Sequence, residues 1–531
     1  MFLKAGAGFG LLVFVFFCLC GLCVAGAQQK VELRLEIDGA DGKPIPCRVH
    51  LAGPDGKPVR PPGQPFWHDH FVCDGRLAVS VAPGRYGYAI ERGPEFDRLA
   101  GSLDLKAGQE QTLGGRLERI ADLKQRGWWS GDLHVHRPPE DIELLMQAED
   151  LHVAPAITWW NQKNLWAGVE REPSPHLPNL FDGDRFFNLM AGEDERGGGA
   201  LLYFHLDEPL EIAKATREVP SSLAVARAAR AKTPGVWIEA EKPFWWDFPL
   251  WLAAGVIDSV EIANNHMCRS NMLANEAWGR PRDEKRLPNP LGNGRWTQEI
   301  YYHALDCGFR LPPSAGSASG VLPNPLGYNR VYVHVAGELS YAKWWAGLKA
   351  GQCFVTNGPL LLCRADGNLP GHVFRVPGPQ GSPIKLDIEL TSLDPVKQIE
   401  VIQNGTVVQT VGIPPGGTRE GALSPGRQPR NRARLSAKLT ARESGWFLVR
   451  AVADVPYTFR FASTGPFYVE AGDAPRRVSR AAVHFFQDWV AERIRRLEHD
   501  LPAGRDRDAV LRLHQDARKF WDDLAGRATA D

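Results

Sequence analysis

The sequence predicts an α/β protein in which a barrel of alternating strands and helices is flanked by two β-rich segments. Between residues 119 and 362, short apolar runs alternate with amphipathic stretches, a pattern that favours repeated strand–helix units and a βα barrel. On either side, apolar and polar side chains alternate within short runs separated by turn residues, which is typical of antiparallel sheets. Two amphipathic stretches close the chain and predict a helical hairpin within residues 473–531.

The first residues have the pattern of an export signal. Lys4 precedes an apolar run from Phe9 to Val24, and Ala25-Gly26-Ala27 follows the run. Small residues at this place predict cleavage, so residues 1–27 are interpreted as a signal peptide and the mature protein as periplasmic or extracellular. An uncleaved membrane anchor stays open as the alternative.

The charge of the chain is balanced, because 62 lysine and arginine residues face 62 aspartate and glutamate residues. Proteins that bind nucleic acid or an anionic membrane surface carry a basic excess. The composition therefore argues against both partner classes and leaves a small-molecule or glycan substrate. The sequence does not predict the oligomeric state.

Residues 28–118 are predicted to form a small β-sandwich that resembles immunoglobulin-like and carboxypeptidase-regulatory modules. Apolar residues recur at every second position of its first run, and Asp-Gly turn signals separate the runs. Cys47 and Cys73 both fall in this domain, where they form either a disulfide or two buried free thiols. The His68-Asp69-His70 cluster lies in an aromatic loop, which favours a surface or packing role.

The barrel region begins with a helical period over residues 141–150, and an apolar strand at 153–158 follows. Further strands are predicted at residues 187–191, 200–205, 236–240, 256–262 and 331–335. Residues 363–472 return to β patterning and are predicted to form a C-terminal β-domain. This domain contains a two-residue turn at Asn404-Gly405 and a flexible loop between Pro414 and Arg432.

The most informative cluster is Asp132-Leu133-His134-Val135-His136, at the end of an apolar strand. Histidines at positions i and i+2 of a strand point to the same side, so His134 and His136 can reach one ion or one substrate. The pattern therefore predicts a metal or substrate site here.

Other motifs accompany this cluster: Gly192-Glu193, Val260-Glu261-Ile262-Ala263-Asn264-Asn265 and Phe354-Val355-Thr356-Asn357-Gly358-Pro359. Together they resemble the CehA/McbA-type metallohydrolases of the polymerase-and-histidinol-phosphatase (PHP) superfamily, over roughly Arg126 to Leu362. The resemblance implies a PHP-like distorted (βα)7 barrel whose metal cluster activates water toward a phosphoester, amide or carbamate. It implies metal ligation by His134 and His136, an orienting role for Asp132 and a metal-bridging role for Glu193.

Several later ligands of that family are replaced in this chain. Trp159 and Trp160 stand where the family has an acid and an imidazole, and Lys242 stands at another ligand position. Gly316-Ser317-Ala318-Ser319-Gly320 lacks a further acid and a further imidazole. Because indole and ammonium groups do not coordinate metals, the full cluster is not expected.

We therefore expect a single divalent metal ion, of zinc, manganese or iron, held by His134, His136 and Glu193. His205 and His266 are candidate replacement ligands. The predicted function is hydrolysis of an ester, amide or carbamate bond in an unknown small substrate. The predicted catalytic residues are Asp132, Glu241 and Lys242, with Lys242 contacting an oxyanion or a substrate carboxylate.

Aromatic faces edged by amides and charges suit sugar rings, which gives the alternative function. The predicted substrate-binding residues are Trp159, Trp160, Asn161, Trp245, Trp246, Asn265 and Arg269. In this alternative a catalytically inactive barrel binds a glycan or glycopeptide. A metal-free acid and base pair, formed by Glu241 with Glu193 or Asp247, is a further possibility.

Overall fold

The structure is a computed structural model that describes residues 29–168, 177–378, 380–413, 431–473 and 476–531. It is a mixed α/β protein with several sheets. The signal peptide predicted at residues 1–27 lies outside the described residues, as does most of the loop predicted at 414–432.

The N-terminal part consists of two sheets, with strand orders β5-β1-β8 and β3-β4-β2-β6-β7. Alternate residues of β1 are buried, as its period-two pattern predicts, and they form part of an apolar core between the strands. Cys47 and Cys73 lie opposite each other on β2 and β4 as buried free thiols. The strands are β1 (Val31–Asp38), β2 (Cys47–Ala52), β3 (Phe66–Trp67), β4 (His70–Cys73), β5 (Arg76–Val81), β6 (Gly84–Glu91), β7 (Leu99–Leu105) and β8 (Glu110–Arg116).

Strands and helices alternate in the central part, which supports the coarse prediction of an α/β region. Its strands are β9 (Trp128–Gly131), β10 (Val153–Trp160), β11 (Lys163–Asn164), β12 (Asn179–Phe181), β13 (Arg185–Arg196), β14 (Gly199–Phe204), β15 (Trp237–Ala240), β16 (Ser259–Ala263), β17 (Pro313–Ala315), β18 (Arg330–His334) and β19 (Cys353–Thr356). Its helices are α1 (Ile142–Glu149), α2 (Ser222–Lys232), α3 (Phe248–Ala254), α4 (Gly292–Asp306) and α5 (Tyr341–Lys349), with 3-10 turns at Lys124–Arg126 and Pro139–Asp141.

The central sheet closes on itself as a barrel with mixed strand directions. Strand β10 pairs in parallel with β9 and β13, and β15, β16 and β17 are also parallel neighbours. Strand β14 is antiparallel to both β13 and β15, and β18 is antiparallel to β9. Because of these reversals, the C-terminal ends of neighbouring central strands do not all lie at the same edge of the sheet.

The C-terminal β-rich part adds a three-stranded sheet in the order β20-β22-β25, and its other strands extend the central sheet. Asn404 and Gly405 both have positive φ and form the predicted two-residue turn between β23 and β24. The strands are β20 (Leu360–Ala365), β21 (Val373–Val376), β22 (Ser382–Ser392), β23 (Val396–Gln403), β24 (Thr406–Gly412), β25 (Asn431–Ala441), β26 (Gly445–Ala453), β27 (Phe461–Thr464) and β28 (Phe467–Ala471).

Two long helices, α6 (Arg480–Asp500) and α7 (Arg505–Ala525), form the predicted hairpin and pack on the central part. Asp247, directly before α3, anchors them, because its Oδ1 accepts hydrogen bonds from Arg493 Nε at 2.8 Å and His514 Nε2 at 3.2 Å. A search of the described helices finds none with the length and apolar character needed to cross a membrane.

Candidate metal centre

The two motif histidines lie side by side just beyond β9. The chain from Asp132 to His136 runs alongside the end of β17, where the backbone N–H of Leu133 donates to Ala315 O at 3.1 Å. Because side chains two residues apart share a side, the imidazoles converge, with 3.1 Å between His134 Nε2 and His136 Nε2. Both rings line a cavity, where His134 is buried and His136 is partly buried.

Glu193, on β13, supplies the third group. Its Oε2 lies 3.2 Å from His136 Nε2 and 3.7 Å from His134 Nε2. The preceding Gly192 permits this arrangement, because a Cβ there would lie 1.7 Å from the Trp159 indole. The strand can therefore approach the tryptophan only with glycine at that position.

The three groups satisfy the requirements of a metal site. Two ligands of a tetrahedral zinc ion, each about 2.1 Å from the metal, lie about 3.4 Å apart, and the three observed separations are 3.1, 3.2 and 3.7 Å. Glu193 Oε2 is also buried without a well-formed hydrogen bond to any described residue. His134, His136 and Glu193 could therefore hold one metal ion.

A second carboxyl group, on Glu261 in β16, lies behind His134. Its Oε2 is 3.4 Å from His134 Nδ1, the ring nitrogen that faces away from His136. Glu261 is completely buried. A carboxylate behind a ligand histidine fixes the tautomer and orientation of the imidazole in many metal sites, so the positions of Glu261 and His134 suit this role.

Electrostatics at the centre favour a cation. Burial lowers the pKa of His134, but the adjacent Glu193 and Glu261 carboxyls outweigh it and raise that pKa well above its usual range. Burial raises the pKa of Glu261 to about 8, and burial with the nearby Glu193 and Glu241 charges raises that of Glu195 to about 8. His134, Glu261 and Glu195 thus hold protons more strongly than usual in the metal-free protein. A bound metal ion would supply positive charge in place of those protons.

Asp132 contacts the backbone rather than the imidazole of its neighbour. Its Oδ1 accepts hydrogen bonds from the backbone N–H of His134 at 3.1 Å and of Ser317 at 3.0 Å, and its Oδ2 accepts from Gly327 at 2.7 Å. Asp132 thus holds the loop that carries the ligands through the backbone of His134, which is compatible with the predicted orienting role, while Glu261 lies beside the ring. An aspartate two residues before a histidine reaches the backbone N–H more easily than the side chain.

Glu241 and Lys242, which follow β15, form a buried pair beside the centre. Lys242 Nζ donates to Glu241 Oε1 and lies 4.8 Å from the centre of the Trp245 ring. Glu241 also accepts hydrogen bonds from Trp245 Nε1 and Asn265 Nδ2, each at 2.8 Å. The predicted residues Glu241, Lys242, Trp245 and Asn265 are therefore brought together with His134 around one cavity.

This cavity, of about 340 Å³, has both polar and apolar lining residues. The polar lining contains the histidine pair, and carboxyl groups of Glu193, Glu195 and Glu241 outnumber the ammonium of Lys242 among the lining residues. The apolar lining includes Trp160, whose ring centre lies 4.9 Å from that of His136, together with Trp245, Met272, Leu273, Trp278, Val321 and Leu322.

His266 also lines this cavity, but its ring is committed elsewhere. Its Nδ1 donates a hydrogen bond to Asn275 O at 2.9 Å. Burial and the Lys242 charge lower its pKa to about 3. His266 therefore forms part of the wall, outside the group of three ligand atoms.

Five other predicted site residues lie away from the cavity lining. Trp159 is buried beside Tyr203 in the core, and Asn161 uses its Oδ1 to accept the backbone N–H of Glu195 at 2.9 Å. Trp246 lies against the C-terminal hairpin, with its ring centre 4.0 Å from Arg496. Arg269 pairs with Glu91 of the N-terminal part, and His205 packs 4.5 Å from the Trp345 ring.

The reversal of β14 explains the position of His205. Because β14 runs antiparallel to β13, with Glu193 opposite Leu202, the residue after β14 lies toward the far end of the sheet. As a candidate ligand, His205 would need to lie at the same end of the sheet as Glu193. The mixed strand directions correct that prediction.

Sequence reasoning missed three groups that the structure adds to the site. Glu195 follows Glu193 by two residues on one strand, so the period-two rule would have found it. Glu261 was noted only as part of a motif, although a carboxyl group within an apolar strand itself indicates a buried polar residue with a specific role. Trp278 lies in a loop after β16, where no sequence pattern indicates its position.

A separate group, His50, Asp69 and His70, also has the spacing of a metal site. His50 Nε2 accepts a hydrogen bond from Arg48 Nε at 3.0 Å, and Asp69 lies within 3.2 Å of the Nδ1 atoms of both histidines. A guanidinium on the ring nitrogen disfavours a cation here, so the interactions suit a packing role for Asp69 and His70. His68 is exposed.

Comparison of the chain with protein-family models, curated proteins and solved structures finds no match. The chemistry of the centre is therefore inferred from its own geometry.

Proposed function

We propose that this protein is an exported metal-dependent hydrolase with a PHP-like barrel, which cleaves an ester, amide or carbamate bond of a small substrate. The observation that carries the proposal is the convergence of His134 Nε2, His136 Nε2 and Glu193 Oε2 within 3.7 Å in the lining of a cavity. The closed central sheet and the sequence motifs described above support the PHP-like assignment.

A single divalent ion held by these three residues would supply Lewis-acid activation of water, and zinc, manganese and iron all suit the imidazole and carboxylate ligands. In the hydrolysis, water gives its hydroxyl to the acyl carbon and a proton to the alcohol or amine that leaves. Lys242 lines the same cavity, and its Nζ is suited to donate a hydrogen bond to the developing oxyanion.

Glu241 holds Lys242 in place and also accepts from Asn265 Nδ2. Asn265 lines the cavity and is positioned to contact the polar part of a substrate. The apolar side chains in the cavity wall lower the local polarity, which strengthens the electrostatic interactions of the charged groups beside them.

Hydrolysis assays of metal-loaded protein test the proposal. The substrates are 4-nitrophenyl acetate, an N-methyl carbamate of 4-nitrophenol and bis(4-nitrophenyl) phosphate, each with zinc, manganese or iron(II). We expect at least one activity that a chelator removes and that the His134→Ala, His136→Ala double variant lacks. The exposed His68→Ala variant is the matched control. Retained activity in the double variant would refute the assignment.

The second candidate function is binding of a glycan by a catalytically inactive barrel. The observation that favours it is the set of tryptophans that line the cavity, Trp160, Trp245 and Trp278. If the protein binds no stoichiometric metal and a glycan ligand is retained by the double histidine variant, this function replaces the first.

A further inference from the structure

A second cavity adjoins the one that contains the candidate metal centre. It has a volume of about 520 Å³ and lies between the loop after β16 and the C-terminal half of α6. The two cavities share Asn275, Ala277 and Trp278 in their walls. The two cavities therefore lie next to each other, with Trp278 at their junction.

The shared wall is held firmly. Trp278 Nε1 donates to Arg196 O at 2.9 Å, and the indole lies on the buried Trp245 ring, with 4.9 Å between centres and 32° between planes. The backbone of Gly279 donates to Glu276 O at 2.8 Å, and a Cβ at Gly279 would lie 2.7 Å from Phe244 O. Trp278 is thus fixed in orientation although 37% of its surface is exposed.

Trp278 lines both cavities, packed against Trp245 and with the Arg217 guanidinium 5.6 Å from its ring centre, and part of the indole stays exposed. Core tryptophans of this chain, such as Trp159 and Trp251, are buried. Exposing an indole costs free energy that a ligand ring placed on it would recover. Trp278 therefore points to a ligand with flat, weakly polar ring faces.

The wall of the second cavity is polar, with charges of both signs. Its wall contains three arginines and four carboxylates, and Arg493 is already paired with Glu218 and Asp247. This near balance gives no net attraction to an anion or a cation. An apolar ligand would remove Arg217, Glu284 and Asp500 from water without replacing their hydrogen bonds.

We propose that the two cavities are adjoining subsites of one groove that binds a neutral oligosaccharide, with Trp278 as the platform between them. Sugar rings combine apolar C–H faces for the indole with hydroxyls for the amide, guanidinium and carboxylate groups of the second cavity. The inference rests on the proposed function for its chemistry: the substrate is an oligosaccharide that carries the hydrolysable ester or amide as a substituent.

In that reaction the bond between the acyl carbon and the sugar oxygen or nitrogen breaks. Water supplies the hydroxyl of the released acid and the proton of the restored hydroxyl or amine, so no other reactant is needed. The second cavity holds the rest of the sugar chain, and the C-terminal hairpin thereby contributes to substrate binding through Arg496 and Asp500.

Isothermal titration of the full-length protein with neutral sugars tests the groove. The probes are cellohexaose, xylohexaose, mannohexaose and hexa-N-acetylchitohexaose. Each is compared with the disaccharide of the same sugar, titrated separately. We expect at least one hexasaccharide to bind at least 10-fold more tightly than its disaccharide. Trp278→Ala should weaken that binding about 10-fold, Trp278→Phe should restore most of it, and Tyr457→Ala, at an aromatic side chain that is 43% exposed, should leave it unchanged.

The inference is overturned if none of the four hexasaccharides binds at millimolar concentration, if the disaccharide binds equally well, or if Trp278→Ala binds like the wild type. Titrations of chelator-treated protein and of the His134→Ala, His136→Ala variant separate the two proposals. Sugar binding without any metal binding supports the groove and refutes the hydrolase, whereas metal-dependent hydrolysis without sugar binding does the reverse.

Discussion

Replacing Glu261 by glutamine tests whether the buried carboxyl behind His134 tunes the metal centre. The side chain is completely buried, and its Oε2 lies 3.4 Å from His134 Nδ1. Glutamine has nearly the same shape, so the substitution leaves no cavity and removes only the capacity for negative charge. Because burial raises the pKa of Glu261 to about 8, the group is mostly neutral at pH 7 in the metal-free protein.

The substitution should therefore have different effects on the stability of the metal-free protein and on its affinity for metal. The stability of the metal-free protein at pH 7 should rise by about 3 kcal/mol, because the unfolded chain is stabilised by ionisation of Glu261, whose usual pKa is 4.5, and glutamine removes that stabilisation of the unfolded state. Metal affinity should fall by about 10- to 100-fold, the usual effect of losing a carboxylate behind a ligand histidine. That fall corresponds to about 1.4 to 2.7 kcal/mol.

Chelator competition with zinc at pH 7 measures the affinity, and urea unfolding of metal-free protein measures the stability. Asp132→Asn is the contrasting variant, since Asp132 accepts backbone hydrogen bonds and should mainly affect stability. A Glu261→Gln variant whose metal-free form is no more stable than the wild type at pH 7, or whose zinc affinity stays within threefold of the wild type, would refute the reasoning.

Three further substitutions probe the surroundings. Gly316→Ala places a methyl group 2.3 Å from His134 Cβ, so zinc titration should show loss of metal binding, and full binding would contradict the geometry. Arg493→Ala removes the guanidinium that pairs with the buried Asp247 and leaves that carboxylate only the hydrogen bonds from His514 and Ser222, which should lower the free energy of unfolding in urea by about 3 kcal/mol, and a change below about 1 kcal/mol would argue against this anchor. Burial lowers the pKa of His152 to about 4 from 6.5, so the unfolded chain takes up the proton first and about 3 kcal/mol of stability is lost as pH falls through this range. His152→Asn should unfold in urea with less of this loss between pH 7 and pH 4.5, and an unchanged profile would contradict the assignment.

Local periodicity predicted much of the secondary structure. The alternation that begins at Val31 gives the burial pattern of β1, and the amphipathic stretches at the end of the chain form α6 and α7. These patterns can be read from residues close together in the sequence, because burial of one face of a strand or helix places apolar residues at regular intervals. The His134 and His136 pair was found for the same reason.

The members of the site that come from distant parts of the chain were harder to predict. Trp159 and Trp160 are adjacent on β10 and point to opposite faces, and only the neighbouring Gly192 decides that Trp159 enters the core. The position of His205 depends on the direction of β14, which the sequence does not specify. Arg269 was expected at the cavity, but its partner Glu91 lies in another part of the chain.

The most direct test of the metal centre is a crystal structure of zinc-loaded protein with anomalous scattering measured at the zinc edge. We expect one anomalous peak about 2.0 to 2.2 Å from His134 Nε2, His136 Nε2 and a Glu193 carboxylate oxygen, and no such peak in the His134→Ala, His136→Ala variant. A peak at His50, Asp69 and His70 instead, or none in the wild type at saturating zinc, would contradict the account.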